Sequence, residues 1–356
     1  MRWVKLSEHD KENKIIKTSS LKEAVSEYVQ DGDTLALSNF LHSNPYATIH
    51  EIVRQEVKDL TVAIASAIEE VDLLISGGCV SKILTSYYHR AGGRRYKREL
   101  DRALFDDKVE IEDYTNFTMT AMFMAGALGY EFMPVMDSAK TTDIFDVRTF
   151  RKEDKMKVIE SPFSGKETVV VPALNPDVAI VHVQRADKYG NAQFWGSEGT
   201  VKWTALSAEN IIVTCEEIVD HEKIKRSPFL TEIPSFRVSA VCEVPWGAHP
   251  SPVAGYYNTD IMFRSMYFGK ALSDLGNEKF MEEWVYGVED REEYMEHYRD
   301  RFGEEPLSYL EVHEFKSDQI NMGYKKTYWQ DDFCYNLALT REEYEELTEE
   351  EGELEL

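Results

Sequence analysis

The sequence predicts an α/β fold: an open, mostly parallel sheet with helices on both faces. Three observations carry that expectation. Short, almost fully apolar segments at 34–37, 60–64 and 177–184 alternate with amphipathic ones, as strands buried between two helical layers do. Turn chemistry rich in glycine and asparagine, as in Asp187-Lys188-Tyr189-Gly190-Asn191, punctuates them. With 356 residues, 43% hydrophobic and 12% aromatic, the chain can bury a full core, so disorder is not expected.

Taken in order, residues 21–28 read as an amphipathic helix, Asp31-Gly32-Asp33 as a turn and 34–37 as the first strand. Pro45 opens a second helix over 46–55, with Ile49, Ile52 and Val53 on one face and Asn44 as its candidate cap. Asp59 leads into the strand at 60–64. Residues 71–75 read as a further apolar strand, followed by a Gly77-Gly78 turn and a helix from about Ser81. Residues 91–98 form a basic loop, and 118–128 a nearly all-apolar helix packed between a sheet and other protein. The charged and threonine-rich stretch 138–157 reads as a surface excursion before a strand at 168–172. Strands at 177–184 and 210–217 follow. Beyond Phe268 the chain is rich in Glu, Tyr and Arg and predicts helices wrapped outside the sheet. The expected organisation is an α/β domain over 1–268 and a helical, acidic extension over 269–356, packed on it or trailing from it.

A net charge of −25 argues against nucleic-acid partners, which need a positive field to displace counterions. No apolar run approaches the roughly 20 residues that cross a bilayer, and the first ten residues lack the apolar core of a secretory signal. A cytoplasmic chain without a membrane partner is expected. Cys79, Cys215, Cys242 and Cys334 are widely spaced, with no ligand-like relation to histidines. They predict reduced thiols packed as small hydrophobes and no metal site.

Several segments have the residue types of a ligand edge. The junction from Ser38 to Pro45 lies beyond the first strand, where open α/β sheets hold ligands, and the helix after it offers amides to an anion. His42 there is a base only if a carboxylate orients it, and the sequence identifies none. Ser76, Gly77 and Gly78 would let backbone approach a phosphate; a tight turn without a ligand is the alternative. Gln184 is a polar strand tip and Asn191 closes the next turn. In the run Val244-Pro245-Trp246-Gly247-Ala248-His249-Pro250-Ser251-Pro252, two prolines fix an irregular backbone around Ser251. His249 is there a packing group or a pocket group.

Together these segments, from about Leu21 to Asp260, resemble the α subunits of family I CoA transferases, most closely those acting on glutaconate. The resemblance rests on Asn44-Pro45-Tyr46-Ala47, on the 186–191 turn with Trp195-Gly196, and on 244–252 followed by Gly255-Tyr256-Tyr257-Asn258-Thr259-Asp260. It implies CoA transfer between an acyl-CoA and a free carboxylate, a dicarboxylate if the glutaconate likeness extends to the substrate. Coenzyme A is then a substrate, and no permanently bound cofactor is implied. The resemblance also implies a hetero-oligomer whose other member, the CoA-transferase β subunit, carries the glutamate nucleophile. This chain's Ser38-Asn39-Phe40 stands where the family has a Gly-Gly-Phe opening whose amides help form an oxyanion hole. Substrate or CoA contacts fall on Ser76, Gly77, Gly78, Gln184, Asn191, His249 and Ser251. Glu198, in Gly196-Ser197-Glu198-Gly199, lies too late in an α-type chain to be the nucleophile. Related ring-cleaving CoA-ester hydrolases place a glutamate where this chain has Asn116, and an amide takes no proton. Glu112 and Asp113 are the neighbouring carboxylates. Arg90, Arg94 and Arg95 are candidates for a dicarboxylate by charge alone. The alternatives are a hydrolase subunit on the same fold and a non-catalytic partner subunit.

Overall fold

Ser20 starts the first helix by a reciprocal pair: its hydroxyl accepts the Glu23 amide, and the Glu23 carboxylate accepts the Ser20 amide. In this computed structural model, which describes residues 15–38, 42–88, 99–147, 149–150, 154–270 and 273–312, that helix is α1 (Leu21–Tyr28). There follow β1 (Thr34–Leu37), α2 (Tyr46–Arg54), β2 (Leu60–Ile64), α3 (Glu69–Ser76), β3 (Val80–Thr85), α4 (Glu99–Phe105) and β4 (Glu110–Asp113). Helix α5 (Asn116–Leu128) is capped by a Thr115–Thr118 box. Strands β5 (Phe132–Val135), β6 (Lys157–Glu160) and β7 (Glu167–Pro172) make a separate antiparallel sheet, of which the sequence predicts only β7 as a strand.

The chain then returns beside β1 as β8 (Val178–Asp187), and β9 (Ala192–Gln193) doubles back on its far end. Helix α6 (Val201–Ser207), β10 (Asn210–Val219), α7 (His221–Arg226), β11 (Thr231–Ile233) and β12 (Ala240–Glu243) complete the nine-stranded sheet. Helices α8 (Ile261–Lys270), α9 (Asp274–Met281), α10 (Arg291–Phe302) and α11 (Glu305–Leu310) follow, with a π turn at Glu282–Tyr286. Among the described residues, no helix is long and apolar enough to cross a membrane.

Strand order across the main sheet runs β12-β10-β8-β1-β2-β3-β4, all parallel, with β9 and β11 antiparallel beyond the end of β8. From β1 the chain builds outward through β4, and from β8 it builds the other way through β12. The order reverses between β1 and β8, where such sheets open a crevice at the strands' carboxyl ends.

Alternation along each strand sorts the core. Leu35, Leu37, Val62, Ile64, Val178 and Ile180 face one buried layer with α1–α4 and the C-terminal helices. Ala36, Ala63 and Ala179 face the other, and their small side chains leave room for Met119, Met122 and Phe123 of α5. Phe280, Met281, Trp284, Tyr294 and Tyr298 belong to the first layer, so the segment after residue 268 supplies core to the sheet.

One stretch differs from the sequence-based expectation. Residues 71–75 are helix, within α3, and the strand is β3, where a helix from Ser81 was expected. Helix α3 is buried nearly all round, with Glu69, Glu70, Val71, Asp72, Leu73 and Leu74 all inside, so it shows no polar stripe. Glu69 and Asp72 in its first turn favour the helix macrodipole.

Gly126 lies inside α5, where alanine would normally be preferred by about 1 kcal/mol. Here an added Cβ would stand 2.2 Å from Leu174 O. Gly126→Ala is therefore expected to destabilise the fold by about 1–3 kcal/mol, as overpacking does. The check is the urea midpoint at unchanged m-value; a rise in the midpoint would show that propensity outweighs the contact.

Candidate active site

The carboxyl ends of β8, β10 and β12 meet the loop over 244–260 in a buried polar layer. His182 pairs in register with Thr214, its Nδ1 2.9 Å from Thr214 Oγ1 and its Nε2 2.7 Å from Glu216 Oε1. Glu216 also accepts the Tyr257 hydroxyl at 2.6 Å and the Trp246 amide at 2.7 Å. A carboxylate is tolerated at such depth only with donors of this kind. Trp246 adopts φ 60, a left-handed conformation that a bulky residue keeps only when its surroundings hold it. Its ring stacks on Tyr257 at 4.3 Å between centroids. Glycine follows at 247 because a Cβ would lie 2.7 Å from His182 Cε1.

Ser251 ties this loop to the one after β1. Its hydroxyl donates to Asn44 Oδ1 at 3.0 Å and accepts the Asn44 amide at 3.4 Å. Ser43 N donates to Pro252 O and Ala47 N to Gly247 O, at 2.8 and 2.9 Å. Ser43, like Trp246, has a left-handed φ, 48. These bonds overturn one expectation: Asn44 does not cap α2, whose cap position is Pro45 without a side-chain bond, because Asn44 Oδ1 accepts the Ser251 hydroxyl instead. Ser38, the residue after β1, is fully buried, its hydroxyl without a hydrogen-bond partner among the described residues. Asn39, Phe40, Arg90, Arg94, Arg95 and Cys334 lie outside the described residues.

The other residues singled out in the sequence separate into three places. Gln184 and His249 join this layer, but both ends of each polar group are engaged. Gln184 Nε2 donates to Trp195 O at 2.7 Å and Ala254 O at 3.3 Å, while its Oε1 accepts the Trp195 amide. His249 is fully buried, with Nδ1 3.0 Å from the Tyr294 hydroxyl and Nε2 3.1 Å from Asp260 Oδ2. Burial lowers the pKa of His249 against the pull of Asp260. Asn191 locks the β8–β9 turn, donating to Asp187 Oδ2 at 2.7 Å and accepting the Ser235 amide, with Gly190 at φ 100. Ser76, Gly77 and Gly78 sit at the opposite edge, where β2 and β3 begin. Gly77 is required there because a Cβ would meet Val53 Cγ1 at 2.7 Å, and the Ser76 hydroxyl donates to Asp72 O. That position gives the turn a packing role and does not join it to the crevice.

Three further groups reach the same edge. At the ends of β2 and β3, the hydroxyls of Ser66 and Ser86 lie 3.0 and 2.8 Å from Asn116 Oδ1, and Asn116 opens α5 at the surface. Behind the loop after β1, Arg264 pairs with Glu69 at 2.7 Å, both buried. Burial and the Arg264 charge lower the pKa of His42 from its ordinary value. Beside them, burial and Glu69 push the Glu70 carboxyl well above the carboxylate range. Glu112, one of the two carboxylates near Asn116, is fully buried: it pairs with Lys155 at 3.0 Å and accepts the Thr149 and Phe150 amides, anchoring the excursion before β6. Asp113 and Glu198 are exposed. The buried Cys79, Cys215 and Cys242 are free thiols, and burial raises Cys79 to about 11.

A parallel sheet with this reversal of strand order is shared with known proteins. Residues 18–244 match the family described as Coenzyme A transferase. This chain belongs to that family. It is 36% identical over 290 residues to the A subunit of glutaconate CoA-transferase from Acidaminococcus fermentans, covering 78% of this chain and 91% of that one. It is 35% identical over 277 residues to the A subunit of 3-oxoadipate CoA-transferase from Pseudomonas knackmussii, covering 77% and 95%. The crystal structure of glutaconate CoA-transferase from Acidaminococcus fermentans superposes with a TM-score of 0.76 at 33% identity, covering 87% of this chain and 98% of that one. Similarity over nearly the full length of these A subunits makes this chain a CoA-transferase subunit of the α type.

The buried histidines give the site a pH dependence. His50 of α2 is held well below its ordinary range by burial, then by Arg291 and Arg54. The unfolded chain therefore takes up a proton near pH 6.5 that the fold refuses, and stability present above that pH is lost as pH falls toward the folded value. His50→Phe is expected to flatten the loss between pH 7 and 5.5 by up to about 1.4 kcal/mol per pH unit. Urea midpoints across that range check it; parallel profiles for the two proteins would refute it.

Proposed function

We propose that this chain is the α half of a hetero-oligomeric CoA transferase that moves CoA between an acyl-CoA and a free dicarboxylate. The observation that carries the reading is the chemistry of the edge. Its carboxylates Glu216, Glu112 and Asp260 and its histidines His182 and His249 are each committed to internal hydrogen bonds. Ser38 and Asn44, in contrast, keep a hydroxyl and an amide nitrogen without partners among the described residues. Such an edge can bind and polarise an acyl oxygen, and none of those five carboxylate and histidine side chains is left free to act as nucleophile or base.

On this reading a glutamate of the β subunit supplies the nucleophile. Its carboxylate attacks the thioester carbonyl, the C–S bond breaks, and CoA leaves as thiolate while an acyl-glutamyl anhydride forms. The thiolate then attacks the glutamyl carbonyl, releasing the first acid and leaving a glutamyl-CoA thioester. The second acid reverses both steps. At each addition negative charge collects on the former carbonyl oxygen, where preorganised donors act. This chain's part is to hold those donors and to line the acid pocket. Asn116 at that edge counts against a hydrolase, because its amide cannot draw a proton from water.

The purified chain alone is expected to show no CoA transfer, and co-expression with its β partner to restore it. After incubation with acyl-CoA, borohydride or hydroxylamine should mark a glutamate of the partner and none here. Full transferase activity from the single chain would overturn the reading. Asn39→Val, which excludes a left-handed φ, should lower kcat of the complex by about 10²–10³ if the loop donates to the oxyanion, and leave it intact if the chain is scaffolding.

A further inference from the structure

Arg291 opens α10, beyond the 18–244 segment that matches the family, and its side chain is buried. Among the described residues it has no ion-pair carboxylate within reach. Its Nε and Nη2 both donate to Trp246 O, at 2.8 and 2.7 Å, and Nη2 also donates to His249 O. The group lies 4.1 Å over the Tyr294 ring. Two conditions disfavour a cation here, depth and the positive end of the α10 macrodipole, and the charge of Glu216 offsets them only from a distance. An apolar side chain of similar volume would often be as stable or more so. What the guanidinium adds is a planar fork that fixes two carbonyls of one turn at once, which a lysine cannot reproduce.

That turn contains Trp246, a bulky residue at φ 60, and it feeds directly into the contacts with the loop after β1. Glu216 holds the Trp246 amide and Arg291 its carbonyl, so the strained peptide is gripped from both sides. Five residues on, Ser251 and Pro252 bind Asn44 and Ser43, the second left-handed residue of the site. Two left-handed residues, Trp246 held by Glu216 and Arg291 and Ser43 held by Pro252, mark a geometry imposed on the loops.

We propose that Arg291 is a positioning residue for CoA transfer: it clamps the 246–249 turn and, through Ser251 and Pro252, sets the backbone at Ser43 and Asn44 in the loop after β1. The C-terminal helices are thereby part of the catalytic scaffold. The proposal rests on the reading above, in which that loop donates to the oxyanion.

The test uses the reconstituted α/β complex with Arg291→Ala and Arg291→Lys. In Arg291→Ala, hydrogen exchange at the Ser43 and Ala47 amides should speed up while amides in the middle of β8 keep their protection. A group that acts only in the transition state should lower kcat by about tenfold or more and leave KM for acyl-CoA within about twofold. Added guanidinium should restore both kcat and protection, as a general loss of stability would not. Arg291→Lys, which keeps the charge and loses the fork, should fall between, and it supplies the comparison if the alanine variant does not fold. Unchanged exchange at Ser43 and Ala47 in either variant overturns the proposal, whatever the activity. Loosened amides rescued by guanidinium, with kcat undiminished, support the clamp and instead sink the oxyanion reading of the loop.

Discussion

The whole carboxyl edge depends on keeping the Glu216 carboxyl group buried with every donor in place. Its three partners come from β8 through His182, from the 244–260 loop through the Trp246 amide, and from the end of that loop through the Tyr257 hydroxyl. Removing any one would leave a lone pair in low dielectric, a cost of several times an ordinary hydrogen bond. Because the partners are spread over three segments, satisfying one side chain fixes the relative positions of two strands and a loop. Tyr257 is stacked on Trp246 as well, so the same interaction orients the strained turn.

From that anchor the order spreads outward by bonds between distant residues. Ser251 reaches Asn44 across 207 positions, Gln184 reaches Ala254 across 70, and Arg291 reaches Trp246 across 45. Nearly all use backbone groups on at least one side. A loop with two prolines and an irregular path cannot satisfy its own amides and carbonyls, so neighbouring elements must. The aromatic packing of His249, Phe263, Trp284, Tyr294 and Tyr298 supplies the apolar walls that make these bonds strong. The helices after residue 268 accordingly belong to the edge as much as to the core.

How much of this could be read in the sequence follows from the range of the interactions. Strands β1, β2, β7, β8 and β10 and helices α1, α2 and α5 were legible because their signals are local: period, turn residues and runs of apolar side chains. Helix α3 reads as a strand because burial on every side erased its polar stripe, which is the feature that distinguishes the two periods. Gln184, His249 and Ser251 stand out as polar residues in apolar or proline-fixed surroundings, but their partners lie far along the chain, so their engagement inside the loop lattice could not be seen. Ser76, Gly77 and Gly78 were grouped with them only because a glycine pair has the same local appearance at either end of a strand. Arg291 left one trace: a cation at the first position of an otherwise acidic helix start, against the macrodipole.

The arrangement bears on why such a chemistry would be divided between two chains, as the proposed reading has it. Oxyanion donors are most effective when they are fixed before the charge appears, so that no reorganisation accompanies the reaction. Fixing the loops here consumes much of the polar capacity of the edge: His182, His249, Glu216 and Asp260 are all spent in the hydrogen bonds that hold them. A nucleophilic carboxylate has the opposite need, since it must be exposed enough to attack, to be acylated and to be released. Placing it on a second surface lets the first stay rigid, and the strained φ values at Ser43 and Trp246 are the mark of that rigidity.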